Sequence, residues 1–295
     1  MPSKARDRQL AKLAARRKAE RDAAQRRRRI VAGAVGAVIG LVAITIGLKL
    51  ITNKGATASS SLTPTATAAP TGLPTQTGTV TPQASPATTV ACGGKVPSTA
   101  GKPKPQFGHA PSSTDVLKPN TTYTAHIQTS CGPIDVQLDA TTAPETVASF
   151  VFLARQGYFD GTFFHRVVDS IDVIQAGDPL GNGQGGPGYT IPDELTGKEA
   201  YTPGTVAMAN AGPDTGGSQF FIITGPDGAN LNQNPAYTIF GSVTSGLDVA
   251  KEINALMPKG AKDYDGQPTE AVYIERITIS SQASPTPSAS ASASP

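Results

Sequence analysis

The chain has 295 residues, a formal net charge of +3, two cysteines and three histidines (His109, His126 and His165), of which His109 falls in the expected linker, so a histidine-based zinc site has little support. The charge is unevenly placed: residues 1–29 hold 12 Lys/Arg against 3 Asp/Glu and the rest hold 13 against 19, which excludes a globally basic nucleic-acid binder. No CxxC pair is present, which argues against a thiol-exchange enzyme.

Residues 1–29 form a basic head that ends in Arg26-Arg27-Arg28-Arg29, and Ile30 to Ile51 follow as an apolar run whose only charge is Lys49. About 20 apolar residues cross a bilayer as a helix. The positive-inside tendency then predicts a cytoplasmic N-terminus, a transmembrane anchor over 30–51 and an extracytoplasmic body, that is, a single-pass cell-membrane protein. A cleaved secretory signal is the alternative, although its apolar region is usually about 7–15 residues. Contact with anionic lipid heads accounts for the basic head more simply than nucleic-acid binding.

Residues 52–117 read as a linker, most clearly over 52–91, where Thr, Ala, Ser and Pro leave too little apolar surface to offset the entropy of ordering. Cys92 ends that stretch and Cys131 lies inside the next one. In an oxidising compartment they can pair and staple residues 92–117 onto the folded body; otherwise they are two unrelated thiols.

From residue 118 to 281 the pattern is that of a folded domain. Tyr123–Thr129 and Ile134–Leu138 alternate around Cys131-Gly132-Pro133 and predict a hairpin. Thr142–Gln156 sets Val147, Phe150, Val151 and Leu153 at helical spacing, with Gly157 as the stop. Short apolar runs at Phe163–Val168, Val173–Gln175, Val206–Ala209, Phe220–Ile223 and Thr238–Phe240 predict strands, Leu247–Leu256 a second helix, and Ala271–Ile279 a last strand. Many short strands with two helices suggest a closed antiparallel barrel capped at its ends. Residues 282–295, rich in Ser, Ala and Pro, predict a disordered tail.

Four segments carry the chemistry: FFHRVV (Phe163–Val168), VIQAGD (Val173–Asp178), MANAGP (Met208–Pro213) and GSQFFI (Gly217–Ile222). In this order and spacing they resemble the cyclophilin-type peptidyl-prolyl isomerases, over about residues 120–281. The resemblance implies a mainly β fold, an eight-stranded antiparallel barrel closed on itself with a helix at either end. It further implies a substrate groove on the outer face, no cofactor, and proline-containing peptides or unfolded and exported proteins as partners of a monomeric domain. On it, Arg166 matches the catalytic arginine, and Gln175, Ala209, Asn210, Ala211, Gln219 and Phe221 match groove residues, with Leu231 and Tyr237 on the distal wall. Phe221, Met208 and Leu231 would hold the proline ring, Gln175 would orient Arg166, and the Asn210 backbone would pair with the peptide.

Taken singly these residues say little, since a lone Phe or Met is usually core and a lone Gln or Asn is usually solvated surface. His165 invites a general-base role, but isomerisation moves no proton, and neighbours on a strand point to opposite faces, so a groove-facing Arg166 sends His165 inward. Ser218 lacks the strand-turn-helix elbow of a hydrolase nucleophile. The Gly-rich stretch Gly177–Tyr189 lacks the Lys-Ser/Thr ending of a phosphate loop and reads as a turn-rich connection beside the groove.

The chain departs from the family pattern in three places. VVDSIDVIQ after Arg166 is one residue longer than usual and carries Ile171 and Asp172 where a phenylalanine often stands. No tryptophan is present, with Asn230 nearest the place where many members use one for cyclosporin, and Tyr237 replaces a frequent histidine. Weak cyclosporin binding is expected. The altered turn also motivates an alternative of another class, a membrane-tethered peptide-binding chaperone module with little isomerase activity.

Overall fold

A computed structural model describes residues 72–283. The basic head and the anchor expected over 30–51 lie outside the described residues, as do the first part of the linker and all but the first two residues of the tail. Among the described residues no helix is long and apolar enough to cross a membrane.

The hairpin forms where alternation demands it. β3 (Thr121–Thr129) and β4 (Gly132–Leu138) pair antiparallel through Ile127↔Ile134 and Ala125↔Val136, which all face the interior. The helix that follows, Pro144–Arg155, starts with proline at its first turn, where the missing N–H costs nothing. Its orphan amides at Glu145 and Thr146 donate to the carboxylate of Glu194 at 3.0 and 2.8 Å, a cap supplied from 49 residues away. Phe150 on this helix meets Phe159, Phe220 and Phe240 at 5.1–5.4 Å between ring centres and forms the middle of the core.

Seven more strands complete the main sheet: β5 (Arg166–Val168), β6 (Val173–Ala176), β7 (Thr205–Met208), β8 (Phe220–Ile223), β9 (Ile239–Ser245), β10 (Asp265–Gly266) and β11 (Ile274–Ala283). They run in the order β10-β5-β6-β8-β7-β9-β4-β3-β11, and every neighbouring pair is antiparallel. This corrects the expectation of eight strands closed in a barrel. β5 stops after three residues at the 3-10 turn Asp169–Ile171, so its free edge receives only the two-residue β10. The outermost strands β10 and β11 do not pair with each other. Instead, the chain entering β5 meets the chain entering β11 through one isolated bridge, Phe163↔Tyr273, with Phe164 N–H donating to Val272 O at 2.9 Å and Ile274 N–H to Thr162 O at 2.8 Å. Phe163–His165 therefore precede the strand expected to contain them. β11 runs on to Ala283, two residues into the expected tail.

The second correction concerns the linker. From residue 72 it is built into the fold, with β1 (Gln76–Val80) and β2 (Lys104–Phe107) paired as a separate two-stranded sheet and a short helix α1 at Ser113–Val116. Its contacts explain why. Phe107 packs edge-to-face on Phe152 at 4.9 Å, extending the core over the side of the Pro144–Arg155 helix (α2) away from Phe150. From this arm, residues 72–117, Ala91 N donates to Ala271 O, Ala271 N donates back to Thr89 O, and Ser113 donates through both N and Oγ to Glu145. Lys104 is buried with its Nζ on the Asp160 carbonyl, and burial lowers its pKa despite the nearby Asp160 charge. A disulfide joins Cys92 to Cys131, 39 residues apart in sequence. A third helix, α3 (Leu247–Asn254), turns Ala250 and Ile253 to the core.

Candidate active site

The groove arises from register. Arg166 pairs with Gln175, Gln175 with Phe221, and Phe221 with Ala207, so four strands place these side chains in one row on the outer face. The next row inward, Val167, Ile174, Ile222 and Val206, belongs to the main core. A second outer row, Val168, Val173 and Ile223, joins Phe221, Ala207 and Tyr201 in a separate apolar cluster, against which Ile171, Ala209, Leu231 and Tyr237 pack. An apolar patch thus lies directly beside a row of polar groups.

The polar groups form one chain of hydrogen bonds. Arg166 Nη1 donates to Gln175 Oε1 at 3.1 Å, Gln175 Nε2 to Gln219 Oε1 at 2.9 Å, and Gln219 Nε2 to the carbonyls of Gly183 and Gly185 at 3.1 and 2.8 Å. At the other end, Arg166 Nε and Nη2 donate to the two oxygens of Asp265 at 2.6 and 2.7 Å. Bonding to Asp265 raises the pKa of Arg166 further above its ordinary value, and the same bond lowers that of Asp265. Asp265 was not legible in the sequence as a site residue; it sits in Tyr264-Asp265-Gly266-Gln267, a segment with no alternating strand signal.

A small cavity of about 70 Å³ is lined by Arg166, Gln175, Ala209, Asn210, Phe221, Leu231 and Tyr237, all anticipated, together with Ile171 and Val173. Tyr237 stands perpendicular to Phe221 at 5.2 Å, held by Tyr201, whose hydroxyl donates to Tyr237 O at 2.7 Å and accepts from Tyr237 N at 3.0 Å. Ile171 occupies the apolar wall at the altered turn. A larger cavity of about 690 Å³ adjoins it, lined by Gln219, Ala211 and the glycine-rich loop, and shares Arg166, Gln175, Ala209 and Asn210. Asn210 Nδ2 donates to Ala236 O at 2.7 Å, and Ala211 N to Thr215 Oγ1 at 2.8 Å, which fixes the strand-to-loop exit between the two cavities.

One anticipated groove residue lies elsewhere. Met208 is in the main core and faces Phe220 across β7 and β8, because alternation that sends Ala207 and Ala209 outward sends Met208 inward. His165 is buried at 6% exposure, close to Asp178, Arg166 and Gln219. Burial lowers its pKa, the Asp178 charge opposes this, Arg166 adds to it, and a hydrogen bond with Gln219 opposes it. The glycine-rich loop needs glycine where it leaves the main sheet: Gly177 has φ +85°, and a Cβ there would sit 2.2 Å from Ser218 O. From outside, the arm holds this loop through Gln106 Nε2 on Gly186 O and Phe107 N on Pro187 O, both at 2.8 Å.

Residues 124–279 match the family model for cyclophilin type peptidyl-prolyl cis-trans isomerase/CLD. A probable peptidyl-prolyl cis-trans isomerase A from Mycobacterium leprae is 42% identical over 190 residues, covering 59% of this chain and all of that protein. Peptidyl-prolyl cis-trans isomerase B from Bacillus subtilis is 48% identical over 122 residues, 41% of this chain and 82% of that protein. A solved cyclophilin-type isomerase from Cryptosporidium parvum is 29% identical, with a TM-score of 0.48 over 54% of this chain and 98% of that one.

Proposed function

The chain belongs to the cyclophilin-type peptidyl-prolyl cis-trans isomerases, and from that premise we propose that Arg166 performs the catalytic step on X-Pro bonds of peptides laid along this groove. Rotation about an amide meets a barrier of about 18–20 kcal/mol because the nitrogen lone pair is shared with the carbonyl. A donor aimed at the prolyl nitrogen stabilises the twisted state, in which that lone pair is localised, more than either planar state.

The single observation that carries the assignment to Arg166 is the in-register row Arg166–Gln175–Phe221, which sets a fixed guanidinium beside an apolar pocket of proline-ring size. A guanidinium offers five N–H donors. Asp265 takes two and Gln175 takes one, leaving two free for a peptide. The ring rests against Phe221, Leu231 and Tyr237, and the larger cavity receives a side chain upstream of the proline. The altered turn leaves the apolar wall intact through Ile171, which favours the isomerase over a binding module without turnover.

The enzyme works outside the cytoplasm, tethered by residues 30–51, and its substrates are exported chains whose X-Pro bonds isomerise over tens to hundreds of seconds unaided. Support comes from the basic head and apolar run of the sequence and from the Cys92–Cys131 bond, which persists in oxidising compartments. Protease added to intact cells should digest the domain; protection until lysis would reject this placement. For the chemistry, Arg166→Ala should lower kcat/KM for a short X-Pro peptide about 10²–10³-fold with no change in Tm. Equal rates in the two proteins would remove Arg166 from the mechanism.

A further inference from the structure

Resting on the role just given to Arg166, we infer that Asp265 is a positioning residue for catalysis, and that the turn Asp169–Asp172 serves to hold Asp265 in place. Asp265 lies opposite Val168 in the two-residue pairing of β10 with β5, so Arg166, two residues further along β5, is its diagonal neighbour on the same face. Diagonal pairs of this kind lie within reach only of long side chains. The guanidinium closes the distance and meets both carboxylate oxygens side-on, which fixes its plane as well as its position. Gln175 fixes the opposite corner. An arginine on a strand edge, about 42% exposed, would otherwise sample many rotamers between turnovers.

The segment carrying Asp265 has almost no sheet of its own, and its support comes from the turn after β5. Asp169 N donates to Tyr264 O at 2.8 Å, and Asp169 Oδ2 accepts from Asp263 N at 3.2 Å. Tyr264 closes the far side by donating its hydroxyl to Gln267 O at 2.6 Å. The same turn reaches the other wall of the groove, where Asp172 Oδ2 accepts from Asp227 N at 2.8 Å and Ser170 O from Asn230 Nδ2 at 3.0 Å. Asp172 itself has φ +48°, a backbone strain retained where these bonds depend on it. The turn is thus a bracket between the carboxylate that aims Arg166 and the segment that carries Leu231.

The test compares the full-length protein with its Asp265→Ala, Asp265→Asn and Asp169→Ala forms, with Arg166→Ala as reference. Asp265→Ala should lower kcat about tenfold with KM within about twofold, because a misaimed group loses rate without losing peptide contacts. Asp265→Asn, with one acceptor left, should fall between, and Asp169→Ala should show a smaller loss of the same kind. Tm should move little in any of them, as the pair is exposed. In ¹⁵N spectra the Arg166 Nε–H signal should be protected from solvent exchange in the parent and lose that protection in Asp265→Ala. An unchanged or increased kcat in Asp265→Ala, or a change confined to KM, would overturn the inference while leaving Arg166 in its role if Arg166→Ala is inactive. An active Arg166→Ala would overturn both.

Discussion

The two faces of strands β5 to β8 differ in how they are held. Inward, Val167, Ile174, Phe220, Ile222, Val206 and Met208 join a core organised around Phe150, where each group is fixed by close packing on all sides. Outward, Arg166, Gln175 and Phe221 sit in the same registers but are fixed by directed bonds on one side and a small apolar cluster on the other. Three- and four-residue strands suffice for both because each residue's face is set by register. The difference teaches that stability and catalysis can be separated residue by residue along one strand, and mutations on the two faces should read out differently.

The largest expected effect comes from the inner face. Phe150→Ala removes a ring that touches three others and should cost about 3–5 kcal/mol in urea unfolding. Activity per folded molecule should persist at low temperature, the reverse of the pattern expected for Arg166→Ala. Loss of both stability and kcat in Phe150→Ala under folding conditions would mean that the faces are coupled, and the separation would break.

Next in size is the arm. Replacing both cysteines, Cys92→Ser with Cys131→Ser, frees a 39-residue span and should cost about 2–4 kcal/mol in thermal or urea unfolding. The arm touches the glycine-rich loop only from its outer side, so kcat/KM should stay within about twofold. A larger loss would show that the arm also shapes the second cavity.

The outer row is legible in the sequence and its supports are not, for one physical reason: alternation and motif spacing report on local segments, whereas the supports are non-local. Arg166, Gln175, Gln219 and Phe221 stood in short apolar runs of regular period. Met208, expected at the proline ring from the resemblance, is turned inward by its own strand's alternation. The arm's Thr, Ser and Pro content resembled a tether, and the signal against that was Phe152, an apolar ring on the outer side of α2 that required a cover. Nothing around Asp265 or Glu194 indicated their partners, 99 and 49 residues away. The edges of the sheet were equally hidden, since whether β10 and β11 pair depends on where β5 stops.

The smallest expected effect sharpens the comparison at its closest point, His165 against Arg166. Burial depresses the pKa of His165 in the folded protein below its unfolded value of about 6.5, with Arg166 reinforcing and Asp178 opposing the shift. The unfolded chain therefore binds the proton more readily, and the stability this confers is complete above about pH 6.5 and declines as pH falls below it. Unfolding free energies measured between pH 7.5 and 5 should decline less steeply in His165→Gln than in the parent. Turnover should be the same in both at pH 7.5, because the ring donates and accepts nothing in the rotation. Parallel pH slopes would mean that His165 has the same pKa folded and unfolded, with Asp178 and Gln219 cancelling burial; a lowered kcat would mean that the inward residue also helps to aim its outward neighbour.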